Sequence, residues 1–109
     1  MEKKKNVQVR AQEILVEMFP VIEAVRRRDR NLADQVKRAS QSVLLNIAEA
    51  RGNKDGNAKL RFATACGSAK EVRAALMIAG AWGYVPSKSV ARLDERLDQV
   101  CAITWTLSR

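Results

Sequence analysis

Apolar residues return at three- and four-residue intervals through four successive stretches of this chain, and turn-forming residues separate the stretches. Each stretch therefore carries one apolar stripe along a helix, and four such stripes reach low energy by packing against one another. The first stripe is Val7, Ala11, Ile14, Leu15, Met18, Ile22 and Val25, which predicts a helix over about residues 6 to 28. Pro20 lies inside it. Because proline removes a backbone hydrogen bond and crowds the preceding turn, a kink or a break is expected near Glu17 to Pro20. The run Arg26-Arg27-Arg28-Asp29-Arg30 closes this helix with cations near the negative end of its dipole.

The second helix is expected over about residues 32 to 51, with Asn31 as N-cap, Asp34 in its first turn and Gly52 as a left-handed C′ residue. Asn53 to Asn57 has turn chemistry and reads as an exposed, mobile loop. A third helix, over about 58 to 82, follows from Leu60, Ala63, Gly67, Val72, Ala75, Leu76, Ile78, Ala79 and Trp82, with Gly83 ending it. Gly67 weakens a helix interior, so a close approach of another helix is the expected compensation. After Tyr84, Val85 and Pro86, Ser87 or Ser89 can cap a fourth helix over about 88 to 108. Its seam is Val90, Leu93, Leu97, Val100, Thr104 and Leu107, with Trp105 off it. The expected fold is all-α: a single-domain, antiparallel, up-down-up-down four-helix bundle spanning residues 1–109.

Within the second helix, Ser42, Asn46 and Glu49 fall at i, i+4 and i+7 and form a polar line beside Val36, Ala39, Val43, Ile47 and Ala50. Such groups are solvated or paired, and Asn46 and Glu49 are expected to be buried, ordering the bundle or its subunit contacts. A turn near Lys54 to Gly56 makes facing positions on helices two and three sum to about 109. That register predicts an Arg38–Glu71 salt bridge and sets the Ser42 hydroxyl beside Gly67 and Ser68. Between helices three and four the sum is about 171, which brings Cys66 and Cys101 to similar levels. Both read as reduced core thiols.

The chain carries 20 Lys and Arg against 12 Asp and Glu, a net charge of +8, and no histidine. Without histidine, and with two cysteines, it lacks the usual zinc ligands and the commonest general base, and no phosphate loop or nucleophile elbow replaces them. No catalytic residue, metal or cofactor is expected, and the chain reads as a non-enzyme. A basic chain favours polyanions. Arg26, Arg27, Arg28, Arg30, Lys54, Lys59, Arg61 and Arg73 are the candidate nucleic-acid contacts, set against the plainer reading of a solvated helical surface. The few aromatic residues argue against a base-stacking platform of the usual kind. No apolar run is long enough for a membrane span and no signal-peptide pattern opens the chain, so a cytoplasmic protein is expected.

At Gln35-Val36-Lys37-Arg38-Ala39, Ser42-Val43, Asn46-Ile47-Ala48-Glu49, Phe62, Gly67-Ser68 and Gly83-Tyr84 the chain resembles the bacterial four-helix-bundle family of the 23S rRNA intervening-sequence protein. It also looks related to the accessory variability determinant of diversity-generating retroelements, a bundle that partners a reverse transcriptase. This resemblance implies a homopentamer, nucleic acid as a partner, and structural or assembly roles for Gln35, Arg38, Ser42, Asn46, Glu49, Gly67 and Ser68, to which the register adds Glu71 as the partner of Arg38. A scaffold for a reverse transcriptase or another element-encoded protein, without direct nucleic-acid binding, is the alternative. Two positions depart from the family pattern: Leu44 stands where a proline is usual, and Ala50 where a glycine is usual, which implies a straighter second helix that breaks at Gly52.

Overall fold

The computed structural model describes the backbone of residues 2–53 and 55–109, and the side chains of residues 7–53 and 56–109. Among the described residues the chain forms four helices, α1 (Glu2–Arg26), α2 (Arg30–Gly52), α3 (Asp55–Ala81) and α4 (Ser87–Leu107), and no strand. Each helix packs on its neighbours in sequence, and α1 returns to α4, so the four close into a ring in the up-down-up-down order. At 27 residues α3 is about 40 Å long, which matches the 42 Å long axis of the molecule.

The stripes read from spacing on α1, α2 and α4 meet in the core, whereas that of α3 does so only at Val72, Ala75, Leu76 and Ala79: Leu60, Ala63, Gly67, Ile78 and Trp82 are exposed, and Phe62, Ala65 and Ala69 take the inner face. Val7, Ile14, Met18 and Val25 of α1 are buried with Val36, Val43 and Ile47 of α2, Phe62, Val72 and Leu76 of α3, and Leu93, Leu97 and Val100 of α4. Phe62 is the largest of the fully buried side chains, amid residues that are mostly valine, alanine and leucine. Thr104, the polar residue on the α4 seam, satisfies its buried hydroxyl by donating to the Val100 carbonyl at 2.7 Å.

Helix ends depart from expectation in instructive ways. α1 runs unbroken through Pro20. The carbonyl that loses its donor belongs to Val16, which is exposed and open to water, so the proline does not divide the helix. Asp29, not Asn31, caps α2, its carboxylate accepting from the Leu32 amide at 3.0 Å. Gly52 is the last helical residue rather than a left-handed stop. Asn53 ends α2 in extended backbone, and its side chain donates to the Glu49 carbonyl at 3.0 Å, so no left-handed residue is needed. The linker is shorter than the expected loop, because α3 already starts at Asp55. Pro86, rather than Ser87 or Ser89, precedes α4, and its carbonyl receives the Ser89 and Val90 amides.

Gly83 does end α3 in the left-handed region, at φ 74. The Gly83 amide donates to the Gly80 carbonyl and the Tyr84 amide to the Ala79 carbonyl at 2.8 Å, the paired bonds of a Schellman stop. The close approach expected at Gly67 occurs at Gly80 instead, where an added Cβ would lie 3.1 Å from Val90 of α4. Gly67 itself faces open space. Cys66 and Cys101 do share a level between α3 and α4 as free, buried thiols, each donating to the other's carbonyl at 3.6 and 3.9 Å. Burial pushes the Cys101 thiol up, so it stays protonated at neutral pH.

The seam between α1 and α4 carries ion pairs of its own. Arg92 pairs with Glu17 at 2.9 Å, Arg96 with Glu13 at 3.1 Å, and Arg96 also reaches Glu17. It is the thinnest of the four helix interfaces.

Candidate nucleic-acid interface

The antiparallel order gathers the end of α1, the start of α2, the end of α3 and the start of α4 at one end of the bundle. That end holds Arg26, Arg27, Arg28 and Arg30, whereas Lys59 and Arg61 lie in the first turns of α3 at the other, about 30 Å or more away along the helix. Lys54 lies outside the described residues. The eight candidate cations thus do not form one patch.

Several of them are also already engaged. Arg73 reaches across to α4, donating to Asp94 at 2.8 Å and to Asp98 at 2.9 Å. Arg61 pairs with Glu49 at 3.5 Å and donates to the Asn46 side-chain oxygen at 3.3 Å. Arg26 bridges to Asp34 at 2.7 Å and to Glu23 at 3.4 Å, and its hydrogen bond holds the Asp34 carboxyl below its ordinary range. By contrast, Arg27, Arg28 and Arg30 are exposed and make no ion pair among the described residues. The same is true of Lys37 and Arg38, both about two turns into α2, which composition and spacing do not single out as phosphate contacts.

Arg38 and Glu71 form no ion pair; both are exposed. Gln35 is exposed too. The polar line on α2 is real, but it works at its inner half. The Ser42 and Ser68 hydroxyls lie 2.8 Å apart, and the Asn46 amide donates to the Ser42 carbonyl and hydroxyl at 2.8 and 3.0 Å. Glu49, expected to be buried, is exposed, with 55% of its side-chain surface open. Asn46→Ala should therefore cost about 1 kcal/mol in urea denaturation, by loss of a half-buried hydrogen-bonded group. Glu49→Ala should change stability by no more than about 0.5 kcal/mol, as an exposed ion pair is worth little.

At the cationic end sits an aromatic cluster. The Tyr84 hydroxyl donates to the second Asp29 oxygen at 3.2 Å, so Asp29 caps α2 with one oxygen and ties the α3–α4 connection to it with the other. The Arg28 guanidinium lies over the Tyr84 ring, 5.5 Å from its centroid, and Trp82 meets the same ring edge-on at 6.0 Å. Burial pushes the Tyr84 phenol above its ordinary value of 10.0; the Asp29 charge and hydrogen bond add to this and Arg28 opposes it. The fold holds this proton more tightly than the unfolded chain does. Its contribution is complete below pH 10 and is lost as pH rises through the raised value. Tyr84 is the one tyrosine in the chain, so tyrosinate absorbance reports it alone. Asp29→Asn, which keeps a capping side chain, should lower that midpoint, and Arg28→Ala should raise it.

Among the described residues no cluster of three or more histidine, cysteine, aspartate or glutamate side chains could hold a metal, and no helix is long and apolar enough to cross a membrane. Fold and site together define a basic antiparallel four-helix bundle, its α2 and α3 joined by a serine–asparagine seam and Arg27, Arg28 and Arg30 exposed without ion pairs at one end. The chain belongs to the 23S rRNA-intervening sequence protein family, which it matches over residues 3–105. Its fold is that of a protein of unknown function from the S23 ribosomal protein family of Bacteroides thetaiotaomicron VPI-5482, seen in a crystal structure at 1.70 Å. The TM-score is 0.87 over 94% of this chain and 98% of that one, at 14% sequence identity, a likeness that carries the fold alone. No curated protein matches the chain in sequence.

Proposed function

We propose that this is a non-enzymatic, oligomeric accessory protein of the cytosol that binds nucleic acid through the cations of the α1–α2 turn and the first half of α2. The observation that carries this reading is that Arg27, Arg28, Arg30, Lys37 and Arg38, close in sequence, are all exposed and form no ion pair, in a chain of net charge +8. Phosphate contacts of this kind are weakly sequence-specific and strongly salt-dependent. Symmetric copies would multiply the charge: five would carry about +40. The test is size exclusion with mass detection, with and without RNA, at low and high salt. Retention of RNA that falls steeply with salt is the expected result; a monomer indifferent to RNA at low salt sinks the proposal.

A protein-contact role is favoured by a different feature. Leu60, Met77 and Ile78 on α3 and Leu45 on α2 are exposed large apolar side chains, and Ala63, Gly67 and Ala74 lie open on the same helix as the first three. This side supports association with further copies, the homopentamer being the first assembly to look for, or with an element-encoded partner such as a reverse transcriptase. Leu60→Lys with Ile78→Lys should reduce the particle mass without unfolding the bundle if copies meet there.

A further inference from the structure

Aromatic residues are few in this chain, which by number alone speaks against base stacking, but their position speaks for it. Trp82 follows the last residue of α3 and is 65% exposed. Its backbone is held from both sides, the Trp82 amide donating to the Ile78 carbonyl at 2.9 Å and the Schellman bonds of Gly83 and Tyr84 fixing the chain just beyond it. The indole therefore stands on a rigid support at the bundle end, touching Tyr84 edge-on, and Tyr84 carries Arg28 on its ring and is anchored to Asp29. An exposed indole, a phenol ring and three unpaired arginines, Arg27, Arg28 and Arg30, share one end of the molecule.

We propose that Trp82 is a stacking platform for an unpaired base, and that the cationic end selects single-stranded nucleic acid over duplex. The inference rests on the nucleic-acid reading above and names its substrate class. Along a duplex the base faces are already stacked on one another, so only the two terminal pairs offer the indole a face, while the arginines still find phosphates throughout. In a single strand a base can lie on the indole while the flanking phosphates meet Arg27 and Arg30. Stacking on an aromatic ring tolerates any base, so the preference is for strandedness and not for sequence. The competing occupant is a protein, because Ile78, one turn back from Trp82, leads onto the aliphatic side of α3.

The test uses the full chain carrying Trp105→Phe, which leaves Trp82 as the one remaining tryptophan. Short oligo(U) and a blunt RNA duplex of equal length are titrated at low salt, following indole emission and its protection from iodide. Oligo(U) should quench and protect Trp82, and the duplex should bind without doing either. Trp82→Ala should weaken oligo(U) binding about tenfold, Trp82→Phe should keep most of it, and both should leave duplex affinity and particle mass unchanged. Unchanged oligo(U) affinity in Trp82→Ala overturns stacking while leaving the nucleic-acid reading intact. So does an indole already protected from iodide in the free protein, or a fall in particle mass on Trp82→Ala, since either assigns the residue to a protein contact. Failure of the starting protein to bind oligo(U) and duplex alike overturns both readings.

Discussion

Replacing Phe62 by alanine should remove about 3–5 kcal/mol of stability, seen as a large fall in the urea midpoint. Phe62 is 1% exposed and is the largest fully buried side chain, on the helix that packs against both α2 and α4. Its neighbours cannot refill the space, because the surrounding core is built from small and branched side chains already locked in ordered helices. A domain of this size has only about 5–15 kcal/mol to lose, so this one substitution takes the bundle close to unfolding at ordinary temperature. Val16→Ala provides the contrast, since Val16 is 72% exposed and its truncation should cost within about 0.5 kcal/mol. Equal midpoints for the two variants would place Phe62 outside the core.

The second large effect is on binding. Arg27→Glu with Arg30→Glu should weaken single-stranded RNA binding about 10- to 100-fold at low salt, because each change removes a cation from a phosphate and adds a repulsion. The slope of log affinity against log salt should flatten by about 1.4, since each phosphate neutralised on a single strand contributes about 0.7. Lys59→Glu with Lys70→Glu is the matched control: the same total charge change, at exposed unpaired lysines of α3 away from the cationic end. If both double variants weaken binding equally, net charge alone governs it and the localised site is wrong. Neither pair touches the core, so melting should move little.

The helices and their register are legible in the sequence because both follow from local quantities, a repeat of three and four and the position of a turn. That arithmetic places Ser42 at Ser68 and Cys66 at Cys101, and the pairs do meet there. It also levels Arg73 with Asp98 and Arg61 with Glu49, and there the side chains do pair, which takes two candidate nucleic-acid residues into intramolecular ion pairs. What register cannot give is direction around the helix axis at the edge of an interface. Arg38 and Glu71 share a level yet both turn outward, and Glu49 turns out one step beyond Asn46, which turns in. Asp29 and Asn31 are equally good capping types. The choice between them is made by tertiary contacts, Tyr84 to Asp29 and Arg26 to Asp34, that no local pattern encodes. Trp82 is visible in the sequence as a residue but not as a site, since its meaning comes from the helix ends that meet around it.

Unrolled, the four helices are a strip of three hairpins, and the α1–α4 seam is where the strip closes into a tube. Hairpin contacts join neighbours in sequence and re-form readily, whereas the closing seam joins the two most distant helices and leans on Glu13 and Glu17 against Arg92 and Arg96. Salt screens those pairs, as it screens the Arg73–Asp94 pair within the α3–α4 hairpin. Parting α1 from α4 along that line would bare Ile14, Met18, Leu93 and Leu97 and leave the α2–α3 hairpin with its serine–asparagine clasp.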